Sequence, residues 1–200
     1  MTKSSPASDE TLALLFREAR THMHWNDAPV DDALLRRLYE LVRMAPTGGN
    51  AQPLRIVFVR TPEAKERLLP ALYPLNVDKT RTAPVTAILA CDMRFHDRMP
   101  KLFPMRPERR DELDAMGAPV IERLGMLNAT LQAGYFILAA RALGLDCGPM
   151  GGFDRDKVDA AFFEGTPNKT FMLVNLGHGV PEKLHPRLPR LDFEEACEIV

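Results

Sequence analysis

The stretch 119–143, PVIERLGMLNATLQAGYFILAARAL, is the longest predicted element and indicates how the chain folds. It predicts one long helix, and Gly144 follows it directly, at a position where a left-handed C-cap favours glycine. The second half, Leu131 to Leu143, is apolar on nearly every face, so we expect both sides of the helix to be buried. A membrane span needs about 20 apolar residues, and this half is shorter and contains Gln132 and Arg141. We therefore expect a core helix and no membrane association.

The segments on either side of this helix indicate the fold class. Further helices are predicted at residues 10–20, 31–44, 63–69 and 154–162, and buried strands at 56–59, 85–91 and 171–176. This order has no regular strand–helix–strand alternation, so it favours the α+β class over a doubly wound sheet. Gly177-His178-Gly179 lacks a third glycine and a following helix, so it is not a dinucleotide fingerprint.

The composition is that of one globular domain covering residues 1–200. A net charge of -1 gives no electrostatic footprint for nucleic acid or an anionic membrane. The three cysteines include no Cys-x-x-Cys pair, so we expect neither a zinc site nor a disulfide framework. His22 and His24 lie two residues apart, which is weak evidence for a metal, and ordinary polar roles are favoured. The polar start, Met1 to Asp9, lacks the apolar part of a signal peptide, so we expect a cytoplasmic protein.

Residues 93–118 differ from the rest of the chain because they are rich in arginine, proline and methionine. We predict a long excursion with room for one short helix, and such segments in compact domains are often functional lids. Its basic side chains could hold a substrate carboxylate or the 2′-phosphate of NADPH. The alternative is a solvated loop whose charges pair with one another. The basic residues concerned are Arg94, Arg98, Lys101, Arg106, Arg109 and Arg110.

No motif for a catalytic side chain is present: the sequence has no nucleophile elbow, no zinc-protease helix motif and no Walker loop. We therefore predict no catalytic residue in the protein itself. Missing catalytic groups are expected where a cofactor supplies the chemistry. Four separate segments carry the residue types that a phosphorylated, aromatic and hydrogen-bonding cofactor needs.

Two of these segments follow the first two predicted helices. Arg20-Thr21-His22 offers a guanidinium and a hydroxyl that suit a phosphate, and the alternative is a cationic cap at the helix end. The loop Pro46-Thr47-Gly48-Gly49-Asn50-Ala51-Gln52-Pro53 lets its backbone approach a ligand closely, and Thr47 and Asn50 add polar groups. The alternative for this loop is a turn that only ends the helix.

The other two segments lie near predicted strands. Asn76 can read a donor–acceptor edge and Lys79 can stabilise negative charge, although a solvated loop would account for both residues. Gly148-Pro149-Met150-Gly151-Gly152 is predicted to be a turn whose backbone N–H groups are open to a ligand, and an ordinary tight turn is the alternative. None of the four segments is decisive alone, and their order and spacing carry the interpretation.

In that order the segments resemble the FMN-dependent nitroreductase family over nearly the whole chain. The stretch 45–53 is similar to its Pro-Ser-…-Asn-x-Gln-Pro loop, Asn76-x-x-Lys79 to its Asn-x-x-Lys, residues 149–154 to its Pro-x-Glu-Gly-Phe-Asp turn, and Arg187-Leu188-Pro189 to its Arg-Leu-Pro. Arg20-Thr21-His22 with Trp25, and the stretch 188–196, look like its RutE-type branch of malonic semialdehyde reductases. The chain departs from the family at Gly151, where many members have Glu, and at His22, where many have Lys or Arg nearby.

The resemblance implies a nitroreductase-like fold in which a central, mainly antiparallel sheet is flanked by helices and two chains intertwine as a homodimer around the long helix. FMN would lie between the chains, and NADPH or NADH would be the co-substrate. The implied contacts are Arg20, Thr21, His22 and Arg187 to the phosphate, Pro46, Thr47 and Asn50 from the partner chain, Asn76 and Lys79 to the pyrimidine edge, and Pro149, Met150, Gly151 and Gly152 along N5.

The resemblance also implies a reaction of two successive hydride transfers through flavin N5. The leading interpretation is reduction of malonic semialdehyde to 3-hydroxypropionate. A broad quinone or nitroaromatic reductase is the alternative, and the motifs do not separate the two. A third hypothesis, of another class, is a flavin-binding protein without turnover.

Overall fold

A computed structural model describes residues 5–200, so the first four residues of the polar start lie outside the described chain. The helices are α1 (Asp9–Leu12), continued by a π-helical turn (Ala13–Arg17), α2 (Asp32–Val42), α3 (Pro62–Leu68), α4 (Pro74–Thr82), α5 (Met99–Leu102), α6 (Arg109–Ala115), α7 (Ala118–Ala142), α8 (Arg155–Phe162) and α9 (Phe193–Ala196). The strands are β1 (Leu54–Val59), β2 (Val85–Asp92), β3 (Asp146–Met150) and β4 (Asn168–Gly177).

The four strands form one antiparallel sheet in the order β1-β2-β4-β3. Every residue of β2 is buried, as an apolar central strand requires. One apolar cluster joins the sheet to α2 and α7, and a second joins it to α3 and α8. The predicted α+β class, with a central antiparallel sheet flanked by helices, is confirmed.

The long helix α7 forms as predicted, one residue earlier at each end. Gly144 has a φ of 79°, and the N–H groups of Gly144 and Leu145 donate to the carbonyls of Arg141 and Ala140. These two bonds form a Schellman motif, which satisfies the last carbonyls of the helix. Within one chain, however, only one face of α7 is buried. The opposite stripe leaves Leu127 68%, Leu131 45% and Tyr135 40% exposed.

Two local predictions were wrong. The first helix ends at Arg17 rather than near residue 20, because the backbone N–H of His22 donates to the Cys147 carbonyl and draws the chain onto β3. The predicted turn at 148–152 is a strand as far as Met150, and its proline is tolerated because β3 is an edge strand. The segment 76–79, for which a solvated loop was the alternative explanation, lies in the helix α4.

The excursion 93–118 is more ordered than predicted. A 3₁₀ turn (Phe95–Arg98), α5 and α6 occupy most of it. Phe95, Met99 and Leu113 are buried in a third apolar cluster with Ala51 and Ile121. The segment therefore has a small core of its own, and this core also packs against the loop 46–53.

Candidate functional site

Two of the residues predicted to bind phosphate, Arg20 and Arg187, are held by backbone carbonyls. Nη2 of Arg187 donates to the carbonyls of Arg17 (2.9 Å) and Ala19 (3.1 Å). Arg20 donates through Nη2 to the carbonyl of His185. In the part of the chain that the structure describes, neither guanidinium pairs with a carboxylate, so both retain their charge and further N–H donors for an anion.

The other two predicted phosphate contacts, Thr21 and His22, lie along β3. Thr21 is exposed and bridges to Cys147 in parallel orientation. His22 is only 6% exposed, and its Nε2 lies 3.3 Å from Oδ1 of Asp146. Its Nδ1 is buried and has no partner among the described residues. His22 thus packs as a structural side chain, and Arg20, Thr21 and Arg187 supply the accessible polar groups.

The helix α4 presents the predicted pair Asn76 and Lys79. Asn76 is buried, and its Nδ2 donates to the Gly152 carbonyl at 2.6 Å. Lys79 is half-buried, and burial lowers the pKa of its ammonium without a compensating carboxylate. Within residues 5–200, α4 therefore carries an ammonium with no carboxylate partner, and the amide of Asn76 contacts the turn at 151–152.

Two hydrogen bonds to the Gly152 carbonyl hold the turn after β3 against the start of α4. The Gly152 carbonyl accepts a second bond from the backbone N–H of Tyr73, at 3.1 Å. A Cβ at Gly152 would lie 2.6 Å from Nδ2 of Asn76, so only glycine permits this approach. Met150 is buried, with its sulfur 3.6 Å from Oγ1 of Thr80, while Pro149 is half-buried and Gly151 is exposed. Gly151 and Gly152 are therefore the accessible part of the predicted N5 segment.

These four elements form one continuous region of a single chain. Arg187 contacts the residues before Thr21, Thr21 contacts β3, and β3 leads into the turn at Gly152 that Asn76 contacts. Trp25 connects the chain after residues 20–22 to α4, because its Nε1 donates to the Lys79 carbonyl at 3.0 Å. The structure thus brings together the segments at 20–22, 76–79, 149–152 and 187.

The loop 46–53 lies apart from that region. The N–H of Gly48 donates to Oδ1 of Asn128 on α7 at 2.7 Å, and Nδ2 of Asn50 donates to the Leu102 carbonyl at 2.8 Å. Gly49, Asn50 and Gln52 have φ values of 60°, 54° and 43°, a left-handed conformation that is uncommon for glutamine. Such an outlier persists only where its surroundings hold it, which makes this loop a functional candidate in its own right. No hydrogen bond within residues 5–200 joins this loop to the segments at 20–22, 76–79, 149–152 or 187.

The basic residues of the excursion divide into two sets. Arg94, Arg106, Arg109 and Arg110 each form ion pairs with carboxylates of the same excursion, including Asp97 and Glu112. Arg98 lies 3.5 Å from the buried Asp92, which already pairs with Arg55 at 2.7 Å. Arg98 and Lys101 line a cleft of about 620 Å³ beside β1, which Gln52 of the loop 46–53 also lines.

Two buried polar side chains that belong to none of the motifs also contact α4. Asn175 lies in the middle of β4, and Lys65 lies on α3 with 5% exposure. A polar residue inside an apolar predicted strand, as Asn175 is, was a usable signal. Lys65 sits in an ordinary short amphipathic helix, and nothing in its local sequence marks it as buried.

Metal-binding clusters and thiols are the other groups that could carry chemistry, and of the three free cysteines Cys91 and Cys147 are buried while Cys197 is exposed. No group of three His, Cys, Asp or Glu side chains within residues 5–200 could hold a metal ion. Burial raises the pKa of the Cys91 and Cys147 thiols to about 12, so both remain protonated at neutral pH. Among the helices of the described chain, none combines the length and hydropathy that a bilayer span requires.

Comparisons with known proteins identify the family of the chain. The profile of the Nitroreductase family matches residues 16–178. A protein of Burkholderia lata, provisionally named NADH dehydrogenase/NAD(P)H nitroreductase, is 54% identical over 192 residues, which cover 96% of this chain and 97% of the relative. A Ralstonia nicotianae protein of the same provisional name is 52% identical over 186 residues, covering 93% of this chain and 94% of the relative.

Solved structures share the fold at low sequence identity. A protein of Bacillus subtilis provisionally described as a nitroreductase superposes with a TM-score of 0.86 at 22% identity, covering 96% of this chain and 100% of the other. A protein of Exiguobacterium sibiricum with a similar description, solved in complex with FMN, gives 0.83 at 19% identity, covering 98% and 100%. With the family profile and the two close relatives, these findings show that the chain belongs to the nitroreductase family.

Proposed function

We propose that the protein is an FMN-dependent NAD(P)H oxidoreductase. The observation that carries the proposal is a set of three cations, Arg20, Arg187 and Lys79, that belong to one region and have no carboxylate partner within residues 5–200. A flavin mononucleotide has a phosphate, which suits the guanidinium groups of Arg20 and Arg187, and an electron-poor ring, which suits the ammonium of Lys79. The FMN complex of the structural relative and the NAD(P)H in the names of the two close relatives support the same cofactor and co-substrate.

The residues present fit this cofactor in detail. Arg20, Arg187 and the hydroxyl of Thr21 would hold the phosphate, because guanidinium forks bind phosphate oxygens with two parallel hydrogen bonds. Asn76 and Lys79 would face the pyrimidine edge of the ring, and the exposed backbone of Gly151 and Gly152 would lie along its reactive side. His22 and Met150 would support these segments from behind, because both are buried.

Bound FMN would supply a carrier that takes a hydride from NAD(P)H and passes it to a second substrate in the same pocket. The protein would contribute orientation and electrostatics. The ammonium of Lys79 would stabilise negative charge at the pyrimidine edge, and its partial burial strengthens that interaction because less water screens it. No side chain needs to act as a nucleophile or a general base.

We propose a homodimer as the working form. The exposed stripe of α7, with Leu127, Leu131 and Tyr135, would be buried against a second copy. The loop 46–53 would then bring Pro46, Thr47 and Asn50 to the partner's flavin. Its three left-handed residues and its separation from the other site segments support a role across the interface.

For the substrate, we propose malonic semialdehyde, whose carboxylate needs a cation beside the flavin site. Arg98 and Lys101 are the residues of the excursion that could hold it, because they line the cleft next to Gln52. The alternative is a broad quinone or nitroaromatic reductase. It is favoured by the ion pairs of Arg94, Arg106, Arg109 and Arg110, which leave little free charge on the excursion.

One experiment tests the proposed activity. The purified protein is expected to carry FMN, to bleach when NADPH or NADH is added without oxygen, and to recover its colour when an aldehyde, quinone or nitroaromatic acceptor follows. Flavin that stays oxidised with both nicotinamides would favour a binding protein without turnover. A steady-state panel of the three acceptor classes then separates malonic semialdehyde reduction from the broad alternative.

A further inference from the structure

A chain of buried polar side chains lies directly behind α4. It begins at Lys65, whose ammonium is 2.8 Å from the carbonyl of Thr80 and 2.7 Å from Oγ1 of Thr86. Thr86 donates to Oδ1 of Asn175 at 2.7 Å, and Nδ2 of Asn175 donates to the Lys79 carbonyl at 3.1 Å. Lys65, Thr86 and Asn175 are each 5% exposed or less. The chain therefore connects α3 to the last turn of α4 through the centre of the sheet.

The ammonium of Lys65, the first member of this hydrogen-bonded series, carries a charge in a buried position. Burial lowers the pKa of Lys65 to about 8, and no neighbouring carboxylate offsets the effect. An unpaired buried ammonium is costly, and an apolar side chain of the same length would be cheaper at a purely structural position. Its hydrogen-bond partners are a helix-terminal carbonyl and a hydroxyl. The carbonyl end of a helix favours a cation, so the ammonium is placed where it acts on α4.

The helix α4 depends on such anchoring. Its buried residues are Asn76 and Thr80, both polar, so no apolar stripe fixes its orientation on the sheet. The carbonyls of Lys79 and Thr80 belong to the last turn, which has no partners within the helix. They accept bonds from Trp25, Asn175 and Lys65 instead. The backbone of Lys79 is thus held by two donors, and the next residue by a third.

We propose that Lys65, acting through Thr86 and Asn175, is a positioning residue that fixes the backbone of Lys79 and with it the ammonium facing the flavin. This inference rests on the proposed function, since it assumes that Lys79 contacts the cofactor. Lys65 itself does not touch the cofactor. Its removal is expected to weaken FMN binding through Lys79 and not through a general loss of stability.

The test is a double-mutant cycle on the dissociation constant of FMN, measured by flavin fluorescence. Lys65→Met is expected to raise that constant about tenfold, the scale of one hydrogen bond to a charged group. In the Lys79→Ala background the same change is expected to have less than about a twofold effect, because the contact it positions is gone. Thr86→Val should behave like Lys65→Met, and Thr86→Ser, which keeps the hydroxyl, should restore wild-type affinity.

Leu38→Ala is the matched control, because Leu38 is fully buried in the apolar cluster on the other face of the sheet. It should lower the unfolding temperature and leave FMN affinity unchanged. Equal effects of Lys65→Met in both backgrounds would overturn the proposal, as would a Leu38→Ala effect on affinity of the same size. If Lys65→Met does not fold, the Thr86→Val cycle decides by the same criteria. Wild-type protein without FMN affinity would refute the proposed function, and unchanged affinity in Lys79→Ala would refute the positioning role alone.

Discussion

The cofactor region and the excursion 93–118 both carry several cations, but they hold them in different ways. Arg20, Arg187 and Lys79 are anchored by backbone carbonyls or half-buried, and none of them pairs with a carboxylate of the described chain. Arg94, Arg106 and Arg110 are instead neutralised by neighbouring carboxylates. A carbonyl fixes a guanidinium without cancelling its charge, whereas a carboxylate does both. The first arrangement leaves charge for a ligand, and the second stabilises a local fold.

We propose that a second copy of the chain completes the cofactor region. Leu131→Glu places a charge at the proposed interface, so we expect it to cause the greatest loss of function. A charge in the centre of the exposed α7 stripe would have to be buried without a partner at the dimer interface, at a cost of several kcal/mol. We expect loss of the soluble dimer and of bound flavin, seen by sedimentation velocity and by absorbance. Arg37→Glu, a change of charge at an exposed position of α2 away from the α7 stripe, is the control. A Leu131→Glu monomer that keeps its flavin would contradict the dimer proposal.

Arg187→Ala removes one of the carbonyl-anchored cations of the cofactor region. The variant loses a guanidinium that no carboxylate neutralises, so FMN should bind about 10 to 150 times more weakly and be lost on purification. The ratio of flavin to protein absorbance measures this loss. Arg106→Ala removes an arginine whose charge is already neutralised, and its flavin content should equal that of the wild type. Full occupancy in Arg187→Ala would count against the assignment.

Arg98→Ala and Lys101→Ala test whether cations of the excursion 93–118 bind the substrate. If either residue holds a substrate carboxylate, kcat/KM for malonic semialdehyde should fall about tenfold while that for a neutral quinone stays constant. Arg94→Ala and Arg106→Ala, which lose only internal ion pairs, should change neither value. Equal effects on both substrates at all six basic positions would place the broad reductase ahead.

A further prediction concerns the pH dependence of stability and does not involve the cofactor. The pKa of Lys65 is lowered by burial from 10.5 to about 8, so the unfolded chain binds an extra proton between these values. The free energy of unfolding therefore gains a contribution that rises with pH over this window. Relative to Lys65→Met, the wild type should gain about 2.5 kcal/mol between pH 8 and 10.5 in urea unfolding. A difference between the two proteins that does not vary with pH would mean that Lys65 titrates normally.

The sequence predicted the core elements well and the site segments only in part. The apolar runs of α7, β2 and β4 could be recognised from the sequence, because the hydrophobic effect favours burial of such runs in any compact fold. The helix α4 could not be predicted, since it has no apolar stripe and its last carbonyls are satisfied by Trp25, Asn175 and Lys65 from distant parts of the chain. The strand β3 resembled a turn because of Gly148 and Pro149, residues that an edge position tolerates. In both cases tertiary contacts override the local pattern.

The preference of the cofactor site for FMN over riboflavin shows whether the carbonyl-anchored guanidinium of Arg187 binds the phosphate. The dissociation constants of FMN and of riboflavin, which lacks the phosphate, are measured for the wild type, Arg187→Ala and Arg106→Ala. We predict that Arg187→Ala weakens FMN binding about tenfold or more, leaves riboflavin binding unchanged, and that Arg106→Ala alters neither. If Arg187→Ala weakens both flavins equally, or leaves the preference for FMN intact, then the carbonyl-anchored guanidinium does not bind the phosphate.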